Sequence, residues 1–323
     1  MLSTKAIDLT KPQYDQSTYS GRASHFFRVA NPLNVFATSK QLDEAKRVVT
    51  EFKKTHVMPP GYDEEKLWKA KYLYDSAFHP DTGEKMMLIG RMSAQAPMNT
   101  LITGCMISFY KTGPAIVFWQ WVNQTFNAVV NYTNRSGDAA LTNKHLLASY
   151  VAACGGALTT ALYLNNKASK MKNPLYARLV PFVAVAAANF INIPMMRSYE
   201  LMNGTPVFTV PEGQRVGDSR VAARNGILFV CLSRVFMALP GMTITPAITN
   251  YATLRGMFRN REWTVLPFQL TLVGLCLCIA TPLGCALFDQ KATLRVKSLE
   301  PELKSVMDKK FPKTTYVYYN KGL

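Results

Sequence analysis

Acidic side chains are in short supply: 20 Asp and Glu stand against 37 Lys and Arg, for a net charge of +17. Histidine is scarcer still, with four scattered residues that make no ligand set. The six cysteines (Cys105, Cys154, Cys231, Cys276, Cys278 and Cys285) form no CxxC pair, and each lies inside an apolar run. They read as small buried hydrophobes in a reducing compartment, against the alternative of metal or redox chemistry. There is no Gly-rich phosphate loop, no HExxH and no nucleophile elbow. Hydrolase, kinase and dehydrogenase chemistry therefore has no carrier, and the chain reads as a non-enzyme without metal or cofactor. The basic balance lacks the basic helix with interleaved aromatics, the zinc-finger spacing or the RNP-like strand of a nucleic-acid binder. Contact with anionic lipid head groups is the better match.

Charge is also missing from the middle of the chain. Residues 1–91 carry 14 Lys/Arg and 11 Asp/Glu, whereas charges between residues 92 and 288 are sparse and fall between apolar runs. This pattern predicts an all-α membrane protein with a helical, soluble or amphipathic amino-terminal region (1–91), a transmembrane domain (92–288) and a soluble carboxy-terminal tail (289–323). In the first region, residues 38–55 predict an amphipathic helix, with Thr38 and Gln41 as a capping box and Leu42, Ala45, Val48, Val49 and Phe52 as its apolar stripe. A second helix is expected from Asp63 to Ser76, followed by turn chemistry at 79–83. The amino-terminal segment has no apolar h-region and carries Asp8 and Asp15, so it resembles neither a signal peptide nor a cleavable presequence.

Candidate spans start near Met98 and at Ala115, Leu146, Leu179, Gly226 and Val265. The first two flank Thr112-Gly113-Pro114, and the sequence leaves open whether they are one broken element or two passes. About five spans are expected, with six as the alternative. Loop Lys/Arg counts are nearly balanced and fix no orientation.

The segment Trp119–Arg135 places Asn123, Asn127, Asn131 and Asn134 at helical spacings of 4, 4 and 3, with Gln120 on the same face and Gln124 beside it. Carboxamides in an apolar segment are costly unless hydrogen-bonded. Such a stripe either lines a wet cavity suited to a zwitterionic or hydroxylated solute, or serves as interhelical glue or an interfacial polar face. Lys111 and Arg234 are charges inside spans, where an ionisable group either has a substrate or gating role or snorkels to the surface. Both precede a helix breaker, Gly113-Pro114 and Pro240-Gly241, which are candidate hinges or simple kinks.

Five segments and the tail carry a family resemblance: DQSTYSGRASHFF (15–27), HPDTGEKMMLIGRMSAQAPMN (79–99), FWQWVNQTFNAVVNYTNRSGD (118–138), FVAVAAANFINIP (182–194), ATPLGCALF (280–288) and VYYNKGL (317–323). The chain resembles the sideroflexins over nearly its whole length. That resemblance implies a multi-pass protein of the mitochondrial inner membrane, usually drawn with five helices. It also implies a carrier similar to the serine transporters that supply mitochondrial one-carbon metabolism. Other members of the family are associated with iron, haem, citrate or respiratory-complex assembly. Two departures are a Gly at 113 before Pro114 and a less acidic loop at 208–212. The family supplies no assigned substrate residues, so the site expectation rests on the amide stripe and the two cations. Asn123, Asn127 and Asn131 would bind serine or another small neutral amino acid, and Arg234 or Lys111 would meet its carboxylate. The alternative is an inner-membrane assembly factor or scaffold whose spans serve only as an anchor.

Overall fold

The computed structural model describes residues 7–79, 82–109, 112–133, 143–169, 174–211 and 213–322. Three helices open the chain: α1 (Tyr19–Val29), α2 (Ser39–Thr55) and α3 (Glu64–Ala77). The Thr38/Gln41 capping box forms, and Leu42, Ala45, Val48, Val49 and Phe52 are all buried, as their spacing predicts. Phe26, Val29, Leu67 and Trp68 share their core with Met92, Cys285 and Ala286, so the amino-terminal helices dock on one end of the apolar bundle. Arg22 fastens the junction: its Nε donates to the Ala286 carbonyl at 2.8 Å, and its guanidinium pairs with Asp289.

The bundle consists of α4 (Gln95–Phe109), α5 (Gly113–Thr133), α6 (Asn143–Ser169), α7 (Pro174–Met196), α9 (Arg220–Leu254) and α10 (Val265–Cys285), with the short α8 (Ser198–Asn203) between α7 and α9. Each bundle helix packs on the next, and α10 returns to α4 to close the ring. The pairing is antiparallel throughout. Helix α4 runs from the level of Met92 and Cys285 to that of Ser108, whose hydroxyl donates to Gln269 at 2.8 Å. Helix α5 turns back, with Phe109 and Trp119 stacked at 6.3 Å beside the turn. Thr125 meets Tyr150 at 2.7 Å and Ile116 packs on Ala161, so α6 runs opposite to α5. Helix α7 returns with Gly156 against Ile191, where a Cβ at 156 would lie 2.8 Å from Ile191 Cγ2. Small residues on α6 thus allow the close approach that bundle helices need.

The chain traverses this bundle six times, a count of bundle helices and not of membrane crossings. The Arg22–Asp289 pair and a hydrogen bond from Arg197 to Lys321 hold residues 7–91, the end of α7 and residues 289–322 at one face. An odd number of traversals is incompatible with those contacts. The Gly113-Pro114 break separates two helices: Pro114 stands in the first turn of α5, where its missing N–H is harmless. Two helical stretches, Arg220–Leu254 and Glu262–Cys285, are individually long and apolar enough to cross a membrane, yet only 33% and 22% of their most apolar windows are buried. Apolar helices that present most of their surface outward are suited to lipid and unlike the core helices of a soluble protein.

The all-α expectation needs a correction, because a four-stranded antiparallel sheet is present. Strands β1 (Thr205–Thr209), β2 (Arg215–Ser219), β3 (Lys291–Arg295) and β4 (Tyr316–Asn320) take the order β2-β1-β4-β3. Val207, Val317 and Tyr319 alternate inward onto Ala222 of α9, Ala292 of β3, Leu299 of the segment after it and Met307 of the tail helix α11 (Pro301–Lys310). Phe208 and Tyr318 stack on the opposite face at 5.4 Å. Each strand is five residues long, so the period-2 signal is brief, and half of the sheet (Lys291–Arg295 and Tyr316–Asn320) comes from beyond α10.

Candidate functional site

Inside the ring, α5, α7 and α9 enclose a small cavity lined by Asn127, Asn189, Asn192, Ile193, Val230, Arg234 and Arg197. Helical periodicity assembles it. Asn189, Ile193 and Arg197 follow at intervals of four with Asn192 alongside, and Val230 and Arg234 stand one turn apart on α9. Apolar Ile193 and Val230 form one part of the wall, and carboxamides with two guanidiniums form the rest.

The polar groups differ in how they are satisfied. Asn192 donates through Nδ2 to Gln124 Oε1, tying α7 to α5. Its own Oδ1 is buried without a partner. Among the described residues, the side chains of Asn127 and Asn189 have no hydrogen-bond partner, and Arg234 has neither a hydrogen-bond nor an ion-pair partner. Arg197 is fully engaged: Nε donates to Glu200 Oε1 at 2.8 Å, Nη2 to the other carboxylate oxygen, and Nη1 to the Lys321 carbonyl at 3.0 Å. The Arg197 charge is therefore neutralised by Glu200, while Arg234 leaves the site with a positive excess and with amide groups free to bond. Such a set can receive a carboxylate at Arg234 and share amine or hydroxyl hydrogens with carboxamide oxygens.

The space available is about 20 Å³, counted as room for the centre of a water molecule. That exceeds the roughly 10–15 Å³ needed for one water and is far from enough for an amino acid. The conformation is closed, and a solute can enter only if the helices part.

Of the residues singled out from the sequence, Asn127 and Arg234 are brought together across α5 and α9. Asn123 lies one turn away on α5, half-buried, and does not line the cavity. The Asn131 side chain, Asn134 and Lys111 lie outside the described residues. Gly113 opens α5, with the Ile116 amide donating to the Thr112 carbonyl at 2.9 Å, so this break is a helix start. Helix α9 continues through Pro240 and Pro246, and Gly241 is buried, packed toward Val273. The α9 turns around Pro240-Gly241 retain their helical form despite the lost amide.

Gln124, Asn189, Asn192 and Arg197 are the site residues that the stripe did not include. Asn189 and Asn192 sit three apart in an otherwise apolar run, which is the signal that would have found them. Arg197 reads in sequence as a loop cation, and its role depends on the tail folding back. Among the described residues, no cluster of three or more His, Cys, Asp or Glu side chains could hold a metal ion.

A family model described as "Sideroflexins" matches residues 8–323. The chain is 54% identical to Sideroflexin-1 of Homo sapiens over 317 residues, covering 98% of each chain. It is 55% identical to Sideroflexin-1 of Mus musculus and 53% identical to Sideroflexin-3 of Rattus norvegicus, again over 98% of both chains. No solved structure matches.

Proposed function

The chain belongs to the sideroflexin family, and on that premise we propose that it is a transporter of small neutral amino acids, serine foremost, in the mitochondrial inner membrane. Its six bundle helices cross the bilayer, with the amino-terminal helices and the sheet on the same side. The observation that carries this reading is the meeting of Arg234, which has no described partner, with Asn127, Asn189 and Asn192 around an enclosed polar cavity. A membrane anchor gains nothing from buried amides and an unpaired cation, which are expensive in an apolar setting. A carrier uses them to replace the hydration shell of a zwitterion.

In this mechanism the solute carboxylate pairs with Arg234. Its ammonium group and hydroxyl bond to the amide oxygens of Asn127, Asn189 and Asn192. Ile193 and Val230 limit the size of the side chain. No covalent step is involved. Because the cavity is closed, transport alternates between openings toward the two faces. Opening toward the sheet side loosens the contact between Arg197 and the tail.

The test is uptake of labelled L-serine by proteoliposomes, with alanine, glycine and cysteine as competitors. Wild-type protein is expected to transport, whereas Asn127→Ala and Arg234→Ala should fall at least tenfold while remaining folded. Wild-type uptake that these substitutions leave intact would displace the site. Absence of flux for any small amino acid, with stoichiometric co-purifying proteins, would replace the transport reading by that of a scaffold.

A further inference from the structure

A second and larger cavity, of about 180 Å³, lies between α8 and the first turns of α9 and is lined by Leu201, Arg220, Val221 and Arg224. Arg220 and Arg224 are exposed on successive turns of one helix face. Neither guanidinium makes a hydrogen bond or ion pair with a described residue. Among the described residues, three carboxylates of the adjoining segments are engaged elsewhere: Glu200 with Arg197, Asp218 with Arg215, and Glu300 with the Ser219 hydroxyl and the Val221 amide at 2.9 Å. Glu300 already satisfies the start of α9, so the free donors at this place are the two arginine side chains.

The i+4 ridge that the two arginines begin continues into apolar residues, winding about 40° around the helix at each step. At the same four-residue interval follow Leu228, Leu232 and Phe236, which are 45%, 40% and 36% exposed. Met202 on α8 adds a further exposed apolar side chain. Two cations at the mouth and an uncovered hydrocarbon stripe below them have the shape of one amphiphile, with an anionic head and acyl chains. A soluble anion would satisfy the arginines and leave the stripe bare.

We propose that the Arg220/Arg224 groove binds the phosphate head of an anionic phospholipid, with its acyl chains laid along Leu228, Leu232 and Phe236. Basic pockets at the end of spanning helices select such lipids by charge, each cation near the surface contributing an increment of attraction. The groove is separate from the central cavity, and its occupation does not depend on what that cavity carries.

The experiment uses full-length protein in nanodiscs of phosphatidylcholine alone or with one fifth cardiolipin, with Tm and lipid retention by native mass spectrometry as readouts. Cardiolipin is expected to raise Tm and to remain bound through detergent exchange. Arg220→Gln/Arg224→Gln should lose both effects, with apparent affinity reduced about 30-fold, while keeping the wild-type Tm in phosphatidylcholine. The control Arg259→Gln/Arg261→Gln, which removes two cations from the α9–α10 turn, should keep them. Equal lipid effects in wild type and the Arg220/Arg224 variant would overturn the proposal, as would equal loss in the control. Stabilisation by inorganic phosphate alone, matching that by cardiolipin, would assign the arginines to a soluble anion and overturn it as well.

Discussion

The Arg197 guanidinium donates to the Lys321 carbonyl at 3.0 Å while its other edge holds Glu200, so one side chain is both a wall of the central cavity and the mooring of a segment 124 residues further on. Gly322, at φ +79°, lies so close that a Cβ there would come within 3.1 Å of Arg197 Nη1. Lysine cannot reproduce the forked bond. Arg197→Lys is expected to lose about 1–3 kcal/mol of stability from charge-assisted hydrogen bonds left unmade at this half-buried pair, read by thermal unfolding in detergent. Gly322→Ala should lose about 1 kcal/mol through its left-handed backbone. Wild-type stability in both variants would show that the mooring contributes nothing.

Arg234 separates stability from activity. A cation inside a span is worth roughly 2.5–3.5 kcal/mol less than an apolar residue when nothing pairs with it. Arg234→Leu should therefore raise Tm while serine uptake falls to background. A variant that is both less stable and inactive would instead show that Arg234 is structurally paired.

Gly156 sets the approach of α6 to α7. A Cβ there would lie 2.8 Å from Ile191 Cγ2, and larger groups would collide further. Gly156→Leu is expected to destabilise the bundle by about 1–3 kcal/mol, seen as a lower unfolding midpoint and a broader size-exclusion profile. At Gly155, where a Cβ would meet nothing within 4 Å, alanine should be tolerated.

His25, in the docked amino-terminal helices, has its pKa pushed below the usual 6.5 by burial, against an opposing pull from Asp75 and with a smaller push in the same direction from Lys71. The fold thus prefers the neutral ring, and below the unfolded pKa the unfolded chain binds the proton more readily. Stability is full above pH 6.5 and declines as the pH falls from there through the folded value. Tm measured from pH 7.5 to 5 should drop for wild type and drop less for His25→Phe. An identical slope in the two proteins would remove His25 from the account.

The count of traversals predicts sidedness. Single cysteines introduced at Lys54 and Lys313 should react with an impermeant maleimide from the same side of a sealed vesicle, and one at Arg259 from the opposite side. Labelling of positions 54 and 313 from opposite sides would contradict the Arg22–Asp289 contact.

Much of this architecture is legible in the sequence where a single period dominates. Residues 38–55 announce α2 through a cap and one stripe, and all five stripe residues are buried. Asn127 and Arg234 stand out as polar groups in apolar runs, and they share a cavity. What is not legible depends on partners distant in sequence. The five residues of β4 find their neighbours in β1 and β3, more than a hundred residues away in the first case. Arg197 gains its meaning from Lys321. Pro240 marks a break by local rules, and the packing of α9 against α10 keeps the helix whole. The first two traversals are ambiguous in the sequence because the Gly113-Pro114 motif permits either a kink or a reversal, and the Phe109–Trp119 stack and the packing of Ile102 and Met106 on Phe126 and Val130 show the reversal.

The strand order also governs how the molecule must be made. Strand β4 lies between β1, which precedes α9, and β3, which follows α10. During synthesis, β1 emerges with one edge waiting, and the last pair of bundle helices must be threaded before its neighbour arrives. Until then the edge is an open template for wrong pairing. Closure of the sheet therefore requires that the chain of α9 and α10 already be in place, so the β1–β4 pairing is a late step of folding.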